Sequence, residues 1–141
     1  MSFRFNPLSG TFDYFSPPSD TAKRVVETKT ADVNMSALTF VYATSDTNVD
    51  KATNDGTYAQ ATVLGMTLSS VVAGNQVDIL LFAKVEDPFF TYTVNDLLFL
   101  GTNGTITNVA PSLPLATHST SIGQSLGSGA IFINIEKSII L

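Results

Sequence analysis

From residue 23 onward, apolar positions recur at every second residue over short runs separated by turn signals, which is the pattern of strands. Arg24–Lys29 is the first candidate strand. In Ala37–Thr44, Leu38, Phe40 and Tyr42 alternate with Thr39, Val41 and Ala43. The turn Asn54-Asp55-Gly56 leads into a strand over Ala61–Ser70, where Gly65 predicts a bulge or a close backbone approach. Ala73-Gly74-Asn75 turns the chain into "QVDILLFAKV", with Val77, Ile79, Leu81, Ala83 and Val85 on one face. Its other face, Asp78, Leu80, Phe82 and Lys84, is half apolar, as in a strand central to a sandwich or pressed against a partner. Asn103-Gly104 predicts a hairpin turn between Leu97–Leu100 and Thr105–Thr107. After the proline-punctuated "APSLPLATHSTS", the segments "SIGQSL" and "AIFINI" are joined at Gly127-Ser128-Gly129. There Ile131, Ile133 and Ile135 share a face, opposite Phe132, Asn134 and Glu136. No window of useful length places apolar residues at i, i+3, i+4 and i+7 between caps. Residues 21–141 are therefore expected to form an all-β domain, a compact antiparallel β-barrel or sandwich.

Residues 1–20, "MSFRFNPLSGTFDYFSPPSD", stand apart as an extended N-terminal arm. Asn6-Pro7 and Ser9-Gly10 are turn signals, and Pro17-Pro18 excludes both a helix and a central strand. Phe3, Phe5, Phe12, Tyr14 and Phe15 crowd this arm. Their burial has two candidate destinations: the chain's own core, or a neighbouring subunit, where aromatic side chains make rigid anchors.

Composition narrows the class. Charged residues make up 13% of the chain and apolar ones 44%, against a usual charged share of about 25%. So little charge on a strand-rich chain predicts that much surface is hidden against other subunits. The net charge is −5, and the seven Lys plus Arg form no cluster, which argues against direct nucleic-acid binding. The longest apolar runs, such as Ile79–Ala83, are too short to span a bilayer. The N-terminus shows no signal-peptide pattern, so a product made in the cytoplasm is expected. There is no cysteine, hence no disulfide framework or thiolate chemistry.

One motif raises the question of catalysis. Gly123-Gln124-Ser125-Leu126-Gly127 spells G-x-S-x-G, the nucleophile elbow of serine hydrolases. The elbow needs a strand-to-helix turn, with an acid and then a histidine later in the chain. Here the following segment is strand-like, and the sole histidine, His118, precedes the serine. A serine without a hydrogen-bonded base is a poor nucleophile. One histidine and no cysteine also disfavour zinc. Asp46, Asn48 and Asp50 mimic the opening of a calcium loop, but Lys51 and Thr57 occupy the positions that need Gly and Glu. A polar loop is expected there. No catalytic, cofactor or metal site is assigned, and a non-enzymatic protein is expected.

Two stretches, "TVLGMTLSSVVAGNQVDILLFAKVEDPFFTYTVNDLLFLGTNGTITNVAPS" and "IGQSLGSGAIFINIEKSIIL", resemble small β-domains of tailed-bacteriophage virion structural proteins. The opening "FNPLSGTFDY" is similar to an N-terminal signature of such proteins. The resemblance covers about residues 37–141 plus the arm and rests on structural glycines and turns. The chain departs from the pattern at Asn95-Asp96, where Gly-Asp is usual, and at Ala83-Lys84, where a glycine often closes the strand. The resemblance implies a capsid decoration (cement) protein, or alternatively a head-fibre, tail-fibre, neck or baseplate component. It implies no catalytic residue and no cofactor. Implied partners are further copies of the chain, as a homotrimer, and major capsid or tail subunits, with the virion as location. Leu80, Phe82, Phe89, Phe90 and Tyr92 are the candidate subunit interface. A receptor- or carbohydrate-binding module, with Phe89, Phe90 and Tyr92 as a stacking platform, is the alternative from another class.

Overall fold

The computed structural model describes residues 24–141 in full and the backbone of residues 2–6 and 11–15. The first two strands, β1 (Ser2–Asn6) and β2 (Thr11–Phe15), pair antiparallel as a hairpin. Then follow β3 (Val25–Ala31), β4 (Phe40–Ala43), β5 (Asn48–Lys51), the helical turn α1 (Tyr58–Ala61), β6 (Gly65–Thr67) and β7 (Gln76–Glu86). The C-terminal part holds β8 (Leu97–Leu100), β9 (Ile106–Thr107), β10 (His118–Ser119), β11 (Ser121–Gly127), β12 (Ala130–Asn134) and β13 (Ile139–Ile140). The all-β expectation holds. Among the described residues, α1 is the only helix and none is long and apolar enough to cross a membrane.

Nine strands form one sheet in the order β3-β5-β4-β6-β7-β12-β11-β8-β9, and β3 also pairs with β7. That second pairing closes β3, β5, β4, β6 and β7 into a ring. Its closing pair β3–β5 is parallel, through Thr30–Asn48 and Ala31–Val49, where an antiparallel sheet was expected. Residues 44–48 turn through Asn48, whose carbonyl accepts the Thr44 N–H. Ala31, Val41, Val49, Val77 and Ile79 fill the ring, with Met35 and Val71 bridged across one end.

A larger core lies on the other side of the same wall. Phe40, Met66 and Leu80 stand in one cross-strand row and pack with Ala83, Leu98, Leu100, Ile122, Ile131 and Ile133. Strands β4 and β7 therefore carry one core on each face, which explains why β7 reads apolar on both. The β8–β9 hairpin is tied back to β4 and β5 by backbone bonds from Phe40 N–H to the Gly104 carbonyl and from Gly104 N–H to the Ala52 carbonyl. Asn54 adds a side-chain bond, its Nδ2 donating to the Leu100 carbonyl at 2.9 Å.

Three expected elements differ. The expected alternation over residues 77–85 breaks at Leu81, because Val26 pairs with Leu80 and Val25 with Phe82, passing Leu81 over. This bulge turns Ala83 toward the same core as Leu80 and Phe82 to the outside. The strand expected over Ala61–Ser70 contracts to Gly65–Thr67, because residues 57–61 form a capped helical turn. There the Thr57 side chain accepts the Gln60 N–H, and the Gln60 side chain accepts the Thr57 N–H. Ala37–Thr44 contracts to Phe40–Ala43, since Leu38 takes a positive φ of 64° and cannot extend the strand.

Candidate functional site

The outward side of the β7-β12-β11-β8 wing follows from its register. Residues directly opposite one another across a sheet share a face. Lys84 pairs with Phe132, Phe132 with Gln124, and Gln124 with Leu97, so these four form one outward row. The neighbouring row joins Phe82 to Asn134 and, on β3, to Val25. On the side of the Lys84 row away from Phe82, Lys84 Nζ meets Glu86 Oε1 at 3.0 Å, both well exposed.

Two aromatic rings make the centre of this surface. Phe82 and Phe132 meet edge to face, with centroids 5.0 Å apart and planes at 85°, a favoured aromatic geometry. Around them Val25 is 47% exposed, Phe82 40%, Leu126 38% and Leu97 59%. Leu126 reaches outward by ordinary alternation, two residues on from the exposed Gln124 and next to the buried Ser125. Arg24, Phe82, Lys84, Glu86, Leu126 and Phe132 are among the residues lining a groove of about 880 Å³ here. Among the described residues, Ala83–Glu86 pair with β12 alone, leaving one edge of β7 open. An open edge presents unpaired N–H and C=O groups that an added strand satisfies.

This surface only partly matches the expected interface. Leu80 and Phe90 are 1% and 2% exposed, buried in the larger core, so neither offers surface. Tyr92 is half-buried against the same core, with its hydroxyl 3.4 Å from the Ile106 carbonyl; burial raises its pKa above the usual 10.0. Phe82 and Phe89 are exposed. With Phe90 inside, Phe89, Phe90 and Tyr92 do not form a three-ring platform for a sugar. Phe132, Leu126, Val25 and Leu97 were missed, although Phe132 sat on the face opposite Ile131 and Ile133 in the sequence pattern. The side chains of Phe3, Phe5, Phe12, Tyr14 and Phe15 lie outside the described residues.

The chemical candidates take structural places. Ser125 is a buried residue of β11, in a strand-turn-strand setting, and its Oγ donates to the Tyr92 carbonyl and accepts the Gly127 N–H at 3.1 Å. Gly127, Ser128 and Gly129 all have positive φ, as the turn required. Gly123 stands where a Cβ would fall on the Phe132 carbonyl oxygen. His118 is buried in β10, with Nδ1 2.8 Å from Thr117 Oγ1 and its ring near Tyr58. The polar loop expected here is shorter than expected: Asp46 and Thr47 lie in the turn after β4, while Asn48–Lys51 is β5, and Asn48 Nδ2 donates to Asp32. Hydrogen bonds from Thr44 and Asn48 hold the Asp32 carboxyl below its usual pKa of 3.8. Among the described residues, no three His, Cys, Asp or Glu side chains gather as metal ligands would.

No protein-family model and no curated protein matches the chain. Among solved structures it is similar to the N base of the head fibre gp8.5 of bacteriophage phi29. The two are 16% identical with a TM-score of 0.45, over 84% of this chain and 98% of that one.

Proposed function

We propose that the chain is a non-enzymatic structural protein of a tailed-bacteriophage virion, a capsid decoration protein that self-associates and docks on neighbouring capsid subunits. The observation that carries this reading is the outward apolar surface of Val25, Phe82, Leu126, Phe132 and Leu97. Contiguous exposed apolar surface marks an interaction site. Its rim is polar, with the Lys84–Glu86 ion pair at one side, as at an interface built of an apolar centre and a solvated margin. The chain's low charge and its resemblance to virion β-domains point the same way. The polar groups that sequence alone singled out for chemistry are engaged in holding strands and turns.

Assembly also needs a part that reaches beyond the β-domain, and the aromatic segment 1–20 supplies one. Deleting residues 2–18 is expected to abolish incorporation into particles while the β-domain still folds and melts cooperatively. Incorporation at the normal level by the truncated chain contradicts this reading.

A further inference from the structure

The turn between β8 and β9 builds a chemical hazard into the fold. Thr105 N–H donates to the Thr102 carbonyl at 3.1 Å, which makes Asn103 and Gly104 the central residues of the turn. Both have positive φ, 51° and 79°, as a type I′ turn demands. Asparagine is among the few residues with a side chain that tolerate this conformation. At residue 104 a Cβ would fall on the Thr39 side chain and the Phe40 carbonyl oxygen, so only glycine fits. The turn therefore selects Asn-Gly. That dipeptide is the one most open to spontaneous deamidation, because glycine carries no side chain to shield its nitrogen.

In deamidation the backbone nitrogen of Gly104 gives up its proton to a base and attacks Cγ of Asn103. The new N–Cγ bond closes a succinimide ring, and the Cγ–Nδ2 bond breaks to release ammonia. Water then opens the ring at either carbonyl. One opening leaves aspartate. The other leaves isoaspartate, in which the main chain runs through the side-chain carboxyl and is longer by a methylene.

The closed fold withholds the attacking atom. Asn103 is exposed, but Gly104 is buried. The Gly104 N–H donates to the Ala52 carbonyl at 2.6 Å, and its carbonyl accepts the Phe40 N–H at 3.0 Å. A proton held in a buried bond is out of reach of base in the solvent, and a residue held at both polar groups cannot turn toward Cγ. Asn54 fastens the same hairpin, donating to the Leu100 carbonyl from its side chain and to the Gly101 carbonyl from its backbone. The nitrogen is freed when the β8–β9 turn lifts from Phe40 and Ala52, a local opening that needs less free energy than global unfolding.

We infer that Asn103-Gly104 is a modification site gated by the fold: the closed hairpin keeps it inert, and the open hairpin deamidates. Isoaspartate then lengthens the turn, so that the Gly104 bonds to Ala52 and Phe40 no longer form together. A reversible opening becomes a permanent one.

The test follows the full chain in mildly alkaline buffer and reads deamidation of Asn103 by peptide mass spectrometry. In denaturing guanidinium chloride the reaction is expected to run about tenfold or more faster than in the folded chain. At lower denaturant, with the chain still folded by circular dichroism, deamidation and hydrogen exchange of the Gly104 amide are expected to rise in the same proportion. Their dependence on denaturant is expected to be shallower than that of global unfolding. Equal rates in the folded and unfolded chain, deamidation that does not follow Gly104 exchange, or a dependence as steep as global unfolding overturns the gate. For the permanent opening, the isoaspartyl product is separated from unreacted chain in buffer without denaturant. It is expected to have lost the slow exchange of the Phe40 and Gly104 amides. The variant Asn103→Asp, with the same charge on an unaltered backbone, is expected to keep it. An isoaspartyl product protected like the wild type, or an Asn103→Asp variant that loses protection equally, overturns that step.

Discussion

Beneath the Tyr92 carbonyl, the hydroxyl of Ser125 also receives the Gly127 N–H, so it braces the turn between β11 and β12 against the segment before β8. Ser125→Ala is expected to lose about 1 kcal/mol, the net worth of such hydrogen bonds. Gly65→Ala should cost more. A Cβ at residue 65 would fall on the Leu80 carbonyl oxygen and against the Ile79 side chain, and overpacking a tight wall costs about 1–3 kcal/mol. Urea unfolding of both variants at an unchanged slope reads the difference, and a Gly65→Ala variant as stable as wild type would contradict the packing described. The close approach at Gly65 was legible in the sequence because a glycine inside a strand pattern has few other uses. Which carbonyl it meets was not, since that depends on β6 lying against β7, a pairing of residues more than ten positions apart.

At the scale of elements, β7 does the most. It closes the ring through β3, carries a core on each face, and hands its C-terminal half to β12. Its length and two-sided apolar character were readable from "QVDILLFAKV", but the bulge at Leu81 was not, because no glycine marks it. That one extra residue decides that Leu80 is core and Phe82 is surface. It is also why, of those two, Phe82 alone offers surface. The helical turn at Tyr58–Ala61 did have a signal, the Thr57-x-x-Gln60 capping box, within a stretch too short for apolar periodicity to show. Strand β5 was hidden because its residues, Asn48–Lys51, are mostly polar, and only Val49 points into the ring. Between elements, Asn54 joins the loop after β5 to the end of β8 through the Leu100 carbonyl. Its own carbonyl accepts from the N–H groups of Thr117 and His118. Asn54→Ala leaves the Leu100 carbonyl without that donor in a buried setting, so a loss of about 1–3 kcal/mol is expected. Hydrogen exchange should quicken first in β8 and β9; uniform protection across the sheet would argue against a local tie.

For the whole molecule, the apolar outer surface of Val25, Phe82, Leu126 and Phe132 is the feature that the cores leave uncovered among the described residues. Under the proposed assembly role, the low charge of the chain removes much of the repulsion that would oppose contact between subunits. The fold class was visible in the strand periodicity. The outward apolar surface was not, because it assembles from β3, β7, β11 and β12, which only the sheet register brings together. A decoration role makes a demand on number. The most direct measurement is the copy number of this chain in purified tailed-phage particles, by quantitative mass spectrometry against the major capsid protein. The account predicts copies on the order of hundreds per particle, in fixed ratio to the capsid lattice. A handful of copies would contradict the decoration role in favour of a tail or neck position, and absence from the particle would contradict the virion assignment itself.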